Sequence, residues 1–175
     1  MVHTPLTFRQ IYDSPLGRLT LSSNGQALTG LWMEGQQHFP ADTDTWPLTT
    51  LPVFDMTMTW LDQYFGGADP QVPLPPLLPS GTPFQQAVWH MLTEISRGTT
   101  VTYGQLAVRL GQLRHGTQPA ARAVGHAVGR NPISILIPCH RVVGAGGQLT
   151  GYAGGLSRKR WLLTHEGVFK KPCRP

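Results

Sequence analysis

The stretch ADPQVPLPPLLPSG, residues 68–81, carries five prolines and limits every fold open to this chain. Proline lacks a backbone N–H and fixes φ, so the stretch can hold neither a helix nor a central strand. It reads as a linker over 68–79, separating an N-terminal scaffold domain at 1–67 from a second domain at 80–170. With 175 residues in all, each side has enough chain for a small core of its own. Charge divides at the same point. Before residue 80 two arginines face seven acids; from there on twelve lysines and arginines face only Glu94 and Glu166. A basic half of this kind attracts phosphate, and an acidic half faces away from it, so a polyanion is the expected partner.

Hydrophobic residues at 40% and charged residues at 13% fit a globular protein and argue against disorder. The opening MVHTPLTFRQ has no apolar core of a secretory signal, and no apolar stretch approaches the roughly 20 residues of a membrane span. Two cysteines, Cys139 and Cys173, make no disulfide framework, and Cys173 falls in a terminal tail. A cytoplasmic protein with a free thiol and no membrane association is expected.

The N-terminal part reads as a short meander over residues 6–34. TFRQIYD and RLTLSS are joined by the turn SPLG, and ALTGLWM follows the turn signal Asn24-Gly25. Phe54, Met58, Leu61 and Phe65 recur at helical spacing, predicting a helix from about Thr50 to Phe65 that ends at Gly66-Gly67. Nothing here forms a catalytic cluster.

The C-terminal part opens with Thr82, Pro83 and Gln85, the signature of a capped helix start, and Thr102 with Gln105 repeats it before a second helix placed to end at Gly111. A third helix follows in PAARAVGHAVGRN. Two short helices joined by a turn, the second carrying arginine, suggest a helix-turn-helix. That second helix is nearly free of bulk: Ala120, Ala121, Ala123, Gly125, Ala127 and Gly129 leave only Arg122, His126 and Arg130 to project. Small-residue helices usually pack tightly against a neighbour; this one is also shaped to approach a nucleic-acid backbone and deliver one long cation.

The run NPISILIPCHR begins at the turn former Asn131-Pro132 and is expected to continue as a buried strand into Pro138, leaving Cys139 at a strand end. A buried core cysteine and a nucleophile both fit that place. A free thiol is mostly protonated at neutral pH, so a nucleophile needs a base, and His140 with Glu166 behind it supplies the residue types for a Cys–His–Glu relay. Zinc deaminase chemistry fails, because PCHRV lacks the second cysteine and no upstream HxE precedes it. A cysteine hydrolase stays open but sits poorly with the basic half.

PCHRVVG, with NPISILI before it and GYAGGLSRKRWLLTHEG after it, resembles the O6-alkylguanine-DNA alkyltransferases, the methylated-DNA–protein-cysteine methyltransferases. GTPFQQAVW, VTYGQLA and AARAVG match the same family in the same order, over about residues 80–168. The resemblance implies an α/β (α+β) protein: a small N-terminal sheet-plus-helix domain, then a mostly helical domain with the helix-turn-helix and a short strand leading to the reactive cysteine. It implies direct, one-turnover DNA repair. An alkyl group would pass from O6 of guanine, or O4 of thymine, in double-stranded DNA to Cys139, with no cofactor and no metal, in a monomeric protein. His140 and Glu166 would activate Cys139 through a water, Asn131 would brace the turn beneath it, and Tyr103 would contact the target nucleotide and donate a proton. Arg122 would fill the space left by the flipped base, with Ala121, Gly125 and Arg130 also toward DNA; Arg114, in the long turn before this helix, is expected from its position to add one phosphate contact. Val142, Tyr152, Ala153, Gly154 and Lys159 would line the pocket. Three departures stand out: Ala153 replaces a serine found in some relatives, zinc ligands of some N-terminal domains are absent, and GQLRHGTQP lengthens the turn of the helix-turn-helix. A non-catalytic binder of alkylated guanine is the competing class, and the presence of Cys139 weighs against it.

Overall fold

Alternating apolar residues and two tight turns build the first unit. In the computed structural model, which describes residues 6–113 and 116–170, strands β1 (Phe8–Ser14), β2 (Gly17–Ser23) and β3 (Leu28–Met33) form an antiparallel meander in that order. The Asn24 side chain closes the β2–β3 turn by accepting the Gln26 and Ala27 amides at 3.0 and 2.9 Å, and Gly25 supplies the positive φ of 101°. β2 is the middle strand and is buried continuously from Leu19 to Ser23. Helix α1 (Pro52–Phe65) starts on a proline at its first position and turns Val53, Phe54, Trp60, Leu61 and Tyr64 inward. It stops at Gly66, followed by Gly67 at a φ of 92°.

The proline-rich stretch holds no helix, as its composition requires, but it is not a slack connector. The Leu28 amide donates to Pro76 O at 2.8 Å and the Leu78 amide to Leu28 O at 2.8 Å, a parallel bridge along the edge of β3. Leu78, in the two-residue gap between Pro76 and Pro79, keeps the N–H that makes that bond. The first compact unit accordingly runs through Ser80 and also takes in Pro132–Ser134.

The described residues of the second unit are 81–113, 116–131 and 135–170. Helix α2 (Pro83–Thr93) carries the expected reciprocal cap between Thr82 and Gln85. A short strand β4 (Val101–Thr102) leads into α3 (Tyr103–Leu113), again with a two-way cap between Thr102 and Gln105. Helix α4 (Ala121–Gly129) packs on α2 and α3, with Val124, Ala127 and Val128 buried and the Trp89 indole donating to Ala127 O at 2.9 Å. β5 (Val142–Val143) pairs in parallel with β4, and α5 (Leu156–His165) closes the unit.

Two local expectations need correction. Gly111 does not end α3, which continues to Leu113; a Cβ at Gly111 would lie 2.9 Å from Gln118 Cα, so the glycine lets the long turn pack against the helix. The run before Cys139 is buried but is not a strand. Ile133 makes a single bridge to Leu31, and the chain then turns, with Ile135 at a φ of 71°. A β-branched residue in the left-handed region is a strained conformation that surrounding structure must hold. Asn131 supplies part of that hold, donating from Nδ2 to Ile137 O at 2.8 Å and closing the loop.

Candidate active site

Cys139 therefore opens a single 3-10 turn, Cys139–Arg141, rather than following a strand. Its amide bonds back to Ile137 O at 2.8 Å and the Arg141 amide to Pro138 O at 3.0 Å, so the proline-led turn fixes the direction of three consecutive side chains. Cys139 is 5% exposed, and Asn131 Nδ2 reaches Sγ at 3.1 Å. One amide group thus braces the loop backbone and donates to the sulfur.

Behind the thiol lies a buried charge cluster. His140 Nε2 is 2.7 Å from Glu166 Oε1, and Glu166, which caps the C-terminus of α5, also accepts from Arg141 Nε at 2.8 Å and Nη2 at 2.9 Å. Burial alone would push the Glu166 carboxyl up; hydrogen bonds from His140 and Arg141, and their charges, overcome it and hold the group well below the usual carboxylate range. Burial pushes His140 down, so the imidazole is neutral near neutral pH despite the carboxylate beside it. Its Nδ1 is buried with no protein partner among the described residues.

Burial also pushes the Cys139 thiol up; the Asn131 hydrogen bond, the Lys159 charge and the backbone amides of Cys139 and His140 pull the other way. The resting thiol is protonated, and reactivity depends on passing its proton to a base. Lys159, on α5, is fully buried and brought down to about 8 by desolvation, against the opposing pull of Cys139. Its ammonium donates to Thr150 O at 2.8 Å and Gly151 O at 3.2 Å. Tyr103 Oη donates to the same Thr150 carbonyl at 3.3 Å, and its hydroxyl is raised by burial first and by the cysteine's charge as well. The β4–β5 pairing, Val101 with Val142 and Thr102 with Val143, is what brings Tyr103 beside the cysteine turn.

The remaining expected residues distribute over three places. Val142 is fully buried in β5, and Tyr152, Ala153 and Gly154 form the half-buried turn that enters α5. Ala121 and Arg122 on α4 and Arg130 just after it are exposed, while Gly125 is half-buried with its α-carbon side facing the Tyr103 ring. Arg114 and Cys173 lie outside the described residues. Arg141 is the member of this buried cluster that the sequence did not single out: its partner is 25 residues away, so no local pattern exposes it. Lys159 was expected as a pocket residue, and its burial as a cation facing the thiol had no signal in LSRKRW. Among the described residues no cluster of His, Cys, Asp or Glu could hold a metal ion, and no helix is long and apolar enough to cross a membrane.

Residues 83–168 match the family model described as "6-O-methylguanine DNA methyltransferase, DNA binding domain", and residues 7–76 match "6-O-methylguanine DNA methyltransferase, ribonuclease-like domain". The chain belongs to this family. The second match extends the likeness to the N-terminal part, where sequence motifs alone had shown only a similar sheet and helix. The methylated-DNA–protein-cysteine methyltransferase of Haemophilus influenzae is 44% identical over 158 residues, 90% of this chain and 84% of its own length. A crystal structure of the Mycobacterium tuberculosis O6-methylguanine methyltransferase superposes with a TM-score of 0.80 at 40% identity, covering 96% of both chains. Another, of Mycobacterium tuberculosis OGT in complex with DNA, gives 0.78 at 41% identity over 92% of this chain and 94% of its own.

Proposed function

We propose that this protein repairs DNA by transferring an alkyl group from O6 of guanine in a duplex to Sγ of Cys139, once per molecule. The observation that carries the reading is the buried Asn131–Cys139 and His140–Glu166 arrangement, in which one short turn carries a shielded thiol and, next in the chain, a neutral imidazole oriented by a carboxylate. The Cys139 proton passes by way of a water to His140 Nδ1. Sγ then forms a bond to the alkyl carbon as the carbon–O6 bond breaks, and the electron pair stays on the guanine. A proton from Tyr103 Oη neutralises the leaving base, and the proton taken up by His140 returns through solvent to the Tyr103 phenolate, so thiol and alkylguanine become thioether and guanine with protons and atoms balanced. The thiolate that forms is stabilised by the Asn131 amide and the Lys159 charge. A thioether is a stable product, and among the described residues there is no second thiol to receive the group.

Duplex DNA hides O6 in the base stack, so the nucleotide must leave the helix at a cost of a few kcal/mol. The small exposed face of α4 suits close approach to the backbone, and Arg122 at its first turn is the side chain that fills the vacated space. A monomer meets these requirements. Cys139→Ala and Cys139→Ser proteins test the reading: both should bind duplex DNA as the parent does and transfer nothing. Transfer by either variant would move the acceptor elsewhere.

A further inference from the structure

The Glu166 carboxylate is shared, and the sharing has a direction. An ionised carboxylate only accepts hydrogen bonds, so the 2.7 Å contact requires His140 Nε2 to carry a proton. That leaves Nδ1 as either a lone pair or a second N–H. Nδ1 is buried with no protein acceptor among the described residues, so no side chain holds a second proton there. The lone-pair form is also the only one able to take a proton from the cysteine.

A lone carboxylate against a buried imidazole would work against this form, because its full charge favours the imidazolium. Arg141 changes the balance. Its guanidinium grips the carboxylate side-on, Nε to Oε2 at 2.8 Å and Nη2 to Oε1 at 2.9 Å, and Nη1 is anchored on the Ile95 carbonyl beyond the end of α2. Oε1 therefore accepts from His140 and Arg141 together. A bidentate arginine fixes the plane of the carboxylate as well as neutralising it.

We infer that Arg141 is a positioning residue for the transfer reaction: by occupying both oxygens of Glu166 it fixes the Nε2–H tautomer of His140 and keeps the ring neutral, preserving Nδ1 as the base. The inference rests on the reading of Cys139 as alkyl acceptor. The charged groups acting on His140 are Glu166 at the end of α5, Lys159 within α5 and Arg141 on its own turn, with the titratable Cys139 as its neighbour in the chain. Glu166 alone favours the imidazolium; Arg141 and Lys159 oppose it, and desolvation acts in the same sense as the two cations. Tyr103 reaches the cluster through Cys139.

The inference is tested first on the unaltered protein. Long-range proton–nitrogen spectra of the His140 ring, assigned by difference from a His140→Gln protein, should show a neutral Nε2–H tautomer from about pH 6 to 9. An imidazolium near neutrality would overturn the inference. Transfer rates are then followed against pH with an O6-methylguanine duplex. Arg141→Met should move the acid limb to higher pH, giving a loss of roughly ten-fold near pH 6 that shrinks to about three-fold or less near pH 9, as when a base is withdrawn from its working protonation state. Arg141→Lys keeps the charge and should return the limb toward the parent's. A uniform loss across pH in a folded Arg141→Lys protein would leave Arg141 a structural strut and overturn the inference. If the parent transfers no alkyl group, the reading of Cys139 fails instead, and the ring spectra still report on Arg141 separately.

Discussion

Replacing Glu166 by glutamine keeps the shape of the side chain and removes its charge. The carboxylate accepts from His140 at 2.7 Å and from Arg141 at 2.8 and 2.9 Å, with its side chain fully buried. An amide has one oxygen to offer these donors and turns its own N–H₂ toward the others. Removing one partner of a buried ion pair costs about 3–5 kcal/mol, because the remaining charge is left uncompensated, and Glu166→Gln should be destabilised by about that amount near neutral pH. The sign of the pH dependence follows from the carboxyl itself. Its folded-state pKa is depressed below the ordinary 4.5, so its stabilisation is present above that value and is lost as pH falls through the folded value. The stability gap between parent and variant, measured by urea unfolding at a series of pH values, should be widest near neutrality and narrow in acid. Without the carboxylate the imidazole is a weaker base, so alkyl transfer should fall roughly 100-fold, at the lower end of what a positioned base contributes. Its rate profile should move to higher pH, where the thiol ionises unaided. A folded Glu166→Gln protein with the parent's rate profile and a stability loss under about 1 kcal/mol would refute the relay.

Arg122→Ala should slow repair of duplex DNA by roughly ten-fold or more while leaving transfer from free O6-alkylguanine nearly unchanged, since the free base needs no extrusion; equal losses on both substrates would make Arg122 a support of the pocket. Lys159→Met should transfer slowly near neutrality and approach the parent above about pH 8, where the parent's own lysine loses its charge. The same substitution has a stability signature: because burial lowers Lys159 from 10.5 to about 8, the parent should gain stability between those pH values and the variant should not.

Elements whose residues interact locally could be read from the chain. The caps of α2 and α3 depend on side chains three residues apart, Thr82 with Gln85 and Thr102 with Gln105, and the meander depends on period-two alternation and the Asn24-Gly25 turn. That Cys139 and His140 share one turn and that Glu166 joins His140 was legible through the motif PCHRVVG and the run ending in THEG. What could not be read was set by long-range contacts. ISILI has the composition of a buried strand, yet after one bridge at Ile133 the Asn131 amide pulls the Ile137 carbonyl back and Ile135 takes up a left-handed conformation. Gly111 looks like a helix end in sequence; only the approach of Gln118 explains it. Arg141 and Lys159 resemble any of the basic residues of the second half, and only burial separates them from the solvated ones.

Alkyl acceptance by Cys139 is tested most directly by the intact mass of the protein after incubation with a duplex containing one O6-methylguanine, followed by peptide mapping. A single hydrogen replaced by methyl, on the peptide containing Cys139 and in amount equal to the guanine restored, is the expected result. An unchanged mass alongside restored guanine, or a methyl group on a peptide lacking Cys139, would contradict it.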